Sequence, residues 1–146
     1  MTVVHVASEA VPFSKTGGLA DVAGALPKAL AALGGKVCLF TPAYRGAAAG
    51  AVEAARLRVP LGGAELSARV LRAPLGGAQA YLIDYPAFFD RPALYGEGGK
   101  DYPDNAERYA FFARAALEAC RVLRLAPRVL HAHDWQAGLV PALIKT

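Results

Sequence analysis

The sequence predicts an α/β fold: a Rossmann-like, mostly parallel sheet with an antiparallel hairpin excursion. Three observations carry this expectation. Two nearly continuous apolar runs, 2–7 and 37–40, flank a stretch of helical periodicity, as in a βαβ unit. Three runs between 52 and 84 alternate apolar with polar residues and are separated by glycine pairs. From Asp104 a second helical pattern leads to a further apolar run at 128–131.

Thr2 to Ala7 reads Thr-Val-Val-His-Val-Ala, a strand covered on both faces. Ser8 to Gly18, with Pro12 and Gly17-Gly18, reads as a loop. Leu19, Val22, Leu26, Ala29, Leu30 and Leu33 recur at three- and four-residue steps, predicting a helix with that face inward. Pro27 is expected to kink it and Gly34-Gly35 to end it. Val37 to Phe40 is a second buried strand, closed by Thr41-Pro42. Strand, helix and strand in succession make the two strands parallel, with a right-handed crossover.

Residues 52–59, 65–72 and 79–84 set Leu57, Val59, Leu66, Ala68 and Val70 against Arg56, Arg58, Ser67 and Arg69. Gly62-Gly63 and Gly76-Gly77 supply the turns of an antiparallel excursion with one wet face. Residues 85–103 read as a long loop, and so long a connection in a small domain is usually functional or disordered. Asp104 opens the clearest helix. Asp104 and Glu107 suit a capping box, Arg114 and Glu118 an ion pair one turn apart. Phe112, Ala116, Ala119 and Leu123 line its inner face, and Pro127 ends it. Arg128 to His131 is a further buried strand, and Trp135 to Ile144 a last helix weakened by Gly138 and Pro141.

The 146 residues suffice for one domain. With 55% hydrophobic and 19% charged residues, intrinsic disorder is excluded. No stretch reaches the ~18–20 apolar residues of a membrane span. The N-terminus lacks the basic and long apolar regions of a secretory signal, so a cytoplasmic protein is expected, with no membrane partner. Cys38 and Cys120 stand far apart in apolar runs and are expected as buried, reduced thiols. The net charge of +4 comes from scattered basic residues, which points away from a nucleic-acid partner.

Two segments carry chemistry. The first is Lys15-Thr16-Gly17-Gly18-Leu19-Ala20-Asp21-Val22, between the first strand and the first helix. In open α/β sheets, ligands bind outside the carboxyl ends of the strands. A helix N-terminus there offers unpaired N–H groups and partial positive charge. The glycines admit a ligand close to the backbone, and Lys15 adds a full charge, a combination that suits a diphosphate. A plain turn with a solvated lysine is the alternative. Neither a Walker P-loop nor a dinucleotide G-x-G-x-x-G is present. Lys-Thr-Gly also occurs in serine β-lactamases, but their partner motifs are missing.

The second segment is His131-Ala132-His133-Asp134-Trp135, at the carboxyl end of the last strand. Strand periodicity puts His131 and His133 on one face and Asp134 on the other. A metal site is not expected. The chain holds three histidines, His5 belongs to the first strand, and no other ligand stands at suitable spacing. Asp134 reads either as a cap of the final helix beside a packed Trp135, or as an acid that also contacts sugar hydroxyls. Both segments fall at the same sheet edge, a cation on one side and an acid on the other, as a sugar attached to a diphosphate requires.

Ser14 to Pro27 resembles the N-terminal signature of bacterial glycogen synthases and plant starch synthases. So do Val6 to Phe13, Leu82-Ile83-Asp84, Phe89-Asp90-Arg91-Pro92, Tyr95-Gly96 and His131 to Leu139. The resemblance is specific at 1–42 and 129–139, moderate at 81–109 and weak at 43–78. It implies an ADP-glucose-dependent, retaining glucosyltransferase of the two-domain GT-B architecture. Such an enzyme extends an α-1,4-glucan without cofactor or metal. By motif, Lys15 contacts donor phosphate and Gly18 approaches the diphosphate through its N–H, beside Gly17. Asp21 shapes the glucose and acceptor site, Tyr95 lies near the adenine, and Asp134 lines the sugar or acceptor cleft.

Ala93 stands where such sequences often have Gly. The histidine motif expected soon after Trp135 is missing, as is the second domain with its basic pair and carboxylate. The resemblance therefore implies that residues 1–146 are a truncated N-terminal, acceptor-side domain. It contains no catalytic residue of its own and is inactive without the C-terminal nucleotide-sugar domain. The alternatives are a stand-alone module binding a nucleotide-sugar or glucan, and a GT-B transferase using UDP-glucose.

Overall fold

In the computed structural model, which describes residues 1–144, the first two apolar runs are parallel neighbours. β1 (Thr2–Val6) is joined to β2 (Lys36–Pro42) through α1 (Gly18–Ala32). β3 (Val52–Leu61), β4 (Ala64–Leu75) and β5 (Ala78–Asp84) follow as two antiparallel hairpins. The segment 85–103 holds a short α2 (Pro86–Phe89) and the two-residue strands β6 (Gly96–Glu97) and β7 (Lys100–Asp101). It is thus an ordered connection with its own small hairpin. α3 (Asn105–Val122), β8 (Val129–Ala132), a 3₁₀ turn (Trp135–Ala137) and α4 (Val140–Leu143) complete the described chain.

The sheet runs β3-β4-β5-β2-β1-β8. β5, β2, β1 and β8 are mutually parallel, so the excursion is not a separate layer but the antiparallel end of the main sheet. Successive side chains point to opposite faces. Val4, Val6, Phe40, Val70 and Ile83 join Phe111, Phe112 and Ala116 of α3 in one core. Val3, Val37, Leu39, Leu71 and Leu82 join Ala23 of α1 in the other. β4 shows where one cover gives way to the other. Its buried residues are Ala68 and Val70 on the α3 face, then Leu71, Ala73 and Leu75 on the α1 face. Only the second half of β4 lies beneath α1. No helix among the described residues is long and apolar enough to cross a membrane.

Several local expectations give way to tertiary packing. α1 buries Ala20, Ala23, Gly24 and Pro27, while Val22 and Leu33 are exposed. Small residues face inward because a backbone segment crosses the helix there. The Cβ that Gly24 lacks would lie 2.4 Å from the Val11 carbonyl oxygen. α1 continues through Pro27 and ends as the glycine pair predicts. Gly34 has φ +85°, its N–H bonds Ala31, and that of Gly35 bonds Leu30.

α3 ends in the same motif with Arg124 at φ +53°, so the helix stops before Pro127 is reached. Asp104 does not cap α3. Its carboxylate takes the Arg91 guanidinium at 2.8 and 2.5 Å, a bidentate, charge-assisted pair stronger than a single cap bond. That pairing also lowers the Asp104 pKa. Glu118 pairs with Arg121, not Arg114, which sets the cation nearer the C-terminal dipole. β8 is a half-exposed edge strand, not a buried one, since no strand among the described residues pairs beyond it. Residues 135–144 form a 3₁₀ turn and a short helix separated at Gly138. The two cysteines are buried and unbridged, and burial, with Cys38 nearby, pushes the Cys120 thiol up to about 12.

Candidate functional site

After β1 the chain forms an arch over α1. The Val11 N–H donates to the Ala20 carbonyl at 3.0 Å, and those of Phe13 and Ser14 donate to the Ala10 carbonyl. The arch delivers Lys15, Thr16, Gly17 and Gly18, all exposed, to the N-terminus of α1. No side chain among the described residues caps this helix, so its first-turn N–H groups are open to a ligand. A Cβ at Gly17 or Gly18 would meet nothing within 4 Å, and Gly17, at φ −149°, has ordinary extended backbone. Neither strain nor internal packing requires these glycines, unlike Gly24. Their bare backbone opens only toward solvent.

The Lys15 ammonium donates to both Asp21 carboxylate oxygens at 2.7 Å, with the side chains 52% and 57% exposed. The pair therefore faces outward. A pair this exposed is worth at most about 1 kcal/mol, so an incoming anion can displace Asp21.

Beneath the cradle, Glu9 is only 4% exposed. Its carboxylate accepts from the Thr16 N–H, the Thr16 hydroxyl at 3.0 Å and the Gly17 N–H at 3.4 Å. It also accepts from the Tyr95 hydroxyl at 3.1 Å, and Ser8 contacts that hydroxyl at 2.8 Å. Burial raises the Tyr95 phenol above its ordinary range, so its proton stays on to donate to Glu9. Tyr95 is held from the α3 side as well, since Asn105 donates to its carbonyl at 2.8 Å. Arg108, fully buried, donates to the carbonyls of Phe88 and Leu94 and to Asn105 Oδ1. A row of rings links the two chemical segments: Tyr95 lies 6.1 Å from Tyr109, and Tyr109 meets Trp135 edge-on at 5.3 Å.

β8 ends at the same edge. Asp134 sits at φ +60°, ψ −178°, a rare conformation for a residue with a side chain, and accepts from the Trp135 N–H at 2.7 Å. It caps the 3₁₀ turn while remaining exposed. Trp135 is 57% exposed rather than packed inside. The parallel register sets His5 beside His131, and all three imidazoles cluster. His131 and His133 stack with centroids 4.0 Å apart, and His5 Nδ1 shares a hydrogen bond with His133 Nε2 at 3.0 Å. Burial, followed by the neighbouring imidazoles, lowers the pKa values of His5 and His133 to about 4.

Among the described residues, these three form the one group whose ligand atoms could share an ion, lying within 4.8 Å of one another. Two of the nitrogens already satisfy each other. Spacing alone sets His5 aside, because it says nothing about which strand pairs with which. Sequence reasoning also assigns no role to Glu9, Ser8 or Tyr109. An acid two residues after the apolar run 2–7, followed by Ala10 and Val11, is the signal that marks Glu9.

A family model described as the starch synthase catalytic domain matches residues 2–146. The chain is 48% identical to a glycogen synthase of Koribacter versatilis, over all of this chain and 31% of that protein. It is 43% identical to a glycogen synthase of Syntrophotalea carbinolica, with the same coverage. The solved catalytic domain of Starch Synthase IV from Arabidopsis thaliana, bound to ADP and acarbose, superposes with a TM-score of 0.85 and 30% identity. That match covers 98% of this chain and 30% of the plant chain. The chain thus spans about 31% of the length of the curated relatives it matches.

Proposed function

The chain belongs to the starch synthase catalytic domain family, and from that premise we propose that it is the N-terminal, acceptor-side domain of an ADP-glucose-dependent glycogen synthase. The whole enzyme transfers glucose, with retention, from ADP-glucose to the non-reducing end of an α-1,4-glucan. A second domain completes the donor site. No cofactor or metal enters the reaction.

The supporting observation is the Lys15–Gly18 cradle: exposed glycines that nothing inside the protein requires, at an uncapped helix N-terminus, beside a lysine. As the glycosidic bond breaks, negative charge builds on the departing diphosphate. The first-turn N–H groups of α1 are fixed in place to stabilise it, and the exposed Lys15 ammonium beside them adds a full positive charge, which favours the transition state over the ground state. Lys15 exchanges Asp21 for phosphate, and the freed Asp21 carboxylate turns to glucose hydroxyls. Tyr95 lies beside the nucleotide, and Asp134 faces the sugar from the end of β8. The plant relative's bound ADP and acarbose support a nucleotide donor and a glucan-like acceptor.

The test is transfer of labelled glucose from ADP-glucose to glycogen by the full-length protein. Lys15→Ala is expected to lower kcat/KM for the donor by about a hundredfold, the scale of losing one preorganised charge-stabilising group. Wild-type kinetics in that variant would remove Lys15 from the site. Calorimetry with ADP-glucose and UDP-glucose decides the donor base, and tighter binding of UDP-glucose would overturn the ADP assignment.

A further inference from the structure

Resting on the donor-site reading, we propose that Glu9 is a positioning residue that holds the Lys15–Gly18 cradle and the Tyr95 loop in a single register. A carboxylate offers about four lone-pair sites. Here they meet four donors: the Thr16 N–H, the Thr16 hydroxyl, the Gly17 N–H and the Tyr95 hydroxyl. With no acceptor capacity left and 4% exposure, Glu9 is closed to substrate and does not act as base or nucleophile.

Its location is otherwise unfavourable for an anion binder. A buried negative charge beneath a diphosphate cradle repels the ligand, so what it contributes is geometry. It fixes the two amides between Lys15 and Gly18 and aims the remaining helix N–H groups outward. Through Tyr95 it ties that arrangement to a loop far away in sequence. Ser8 completes the link, because the Tyr95 proton goes to Glu9 and the Ser8 hydroxyl therefore donates to Tyr95. Cradle and loop then move together or not at all.

Glu9→Gln keeps the size but supplies one acceptor oxygen where two are used, so part of the network must open. Tyr95→Phe cuts only the link to the loop. In the full-length protein, Glu9→Gln is expected to lower kcat/KM for ADP-glucose by about ten- to a hundredfold, as misplacement of catalytic groups does. The KM for glucan should stay within about twofold, because this network sets donor rather than acceptor geometry. Tyr95→Phe should cost less, and the double variant no more than Glu9→Gln alone, because both cut one network.

Losses that multiply, or a Glu9→Gln enzyme that melts earlier yet keeps wild-type donor kinetics, would overturn the proposal. Amide hydrogen exchange separates its failure from that of the donor-site reading, since it needs no activity. Glu9→Gln must speed exchange at Thr16 and Gly17 and across 95–102 together. Opening confined to Thr16 and Gly17 rejects the coupling, whichever donor the enzyme uses.

Discussion

Gly17 and Gly24 are the same residue kept for opposite reasons. Alanine at 24 would drive its Cβ to 2.4 Å from a backbone oxygen that cannot swing away. Gly24→Ala is expected to destabilise by about 2–3 kcal/mol in denaturant titration, the upper range for overpacking. Alanine at 17 meets empty space. Gly17→Ala should leave stability within about 0.5 kcal/mol while weakening donor use, measured as kcat/KM for ADP-glucose. The histidine pair makes a prediction of another kind. His5 and His133 have pKa values of about 4 in the folded chain against 6.5 ordinarily, so the unfolded chain takes up protons first. Their contribution is fully present above about pH 6.5 and is lost as pH falls toward 4. The slope approaches ~1.4 kcal/mol per pH unit for each histidine. Denaturant midpoints measured across that window should show the decline, and His133→Gln should flatten it.

Among the elements, α3 does the most to order the rest. Arg108 projects from its first turns into the core and satisfies carbonyls of the 85–103 connection. The Phe89, Tyr102 and Tyr109 rings surround its guanidinium. That is why a segment rich in glycine and proline is ordered. Arg108→Met should cost about 3–5 kcal/mol, because the Phe88 carbonyl and Asn105 Oδ1 lose a buried donor together and the Leu94 carbonyl keeps only the Tyr109 hydroxyl. Protease cleavage between 90 and 103 should rise with it. Arg91→Gln breaks a half-buried bidentate pair that leaves no core carbonyl without a donor, and should cost about 1–2 kcal/mol, less than Arg108→Met. If the two variants are equally sensitive to protease, Arg108 is not the organiser. Periodicity finds α3 readily but misreads α1. Hydropathy ranks leucine above glycine, whereas the close crossing at Val11 admits only small side chains.

At the scale of the molecule, this chain spans 31% of the Koribacter versatilis glycogen synthase it matches, and the proposed reaction draws on groups from a second domain. Purified residues 1–146 should therefore show no incorporation of glucose from ADP-glucose into glycogen. Activity above background would falsify the acceptor-side assignment. The types of the main elements, the parallel β1–β2 unit, the β3–β4–β5 hairpins and the loop that leads into α1 were legible in the sequence, whereas α2, the β6–β7 hairpin and the break at Gly138 were not. Each legible feature depends on residues close together in the chain, through apolar period, turn chemistry or helix-terminal polarity. Strand order, the register that sets His5 beside His131, and the carboxylate of Glu9 joining Thr16 to Tyr95 were decided only by the tertiary structure. Periodicity tells which face a side chain occupies. Which neighbour it finds there depends on how both faces of the sheet are covered at once, a condition that no local run of residues contains.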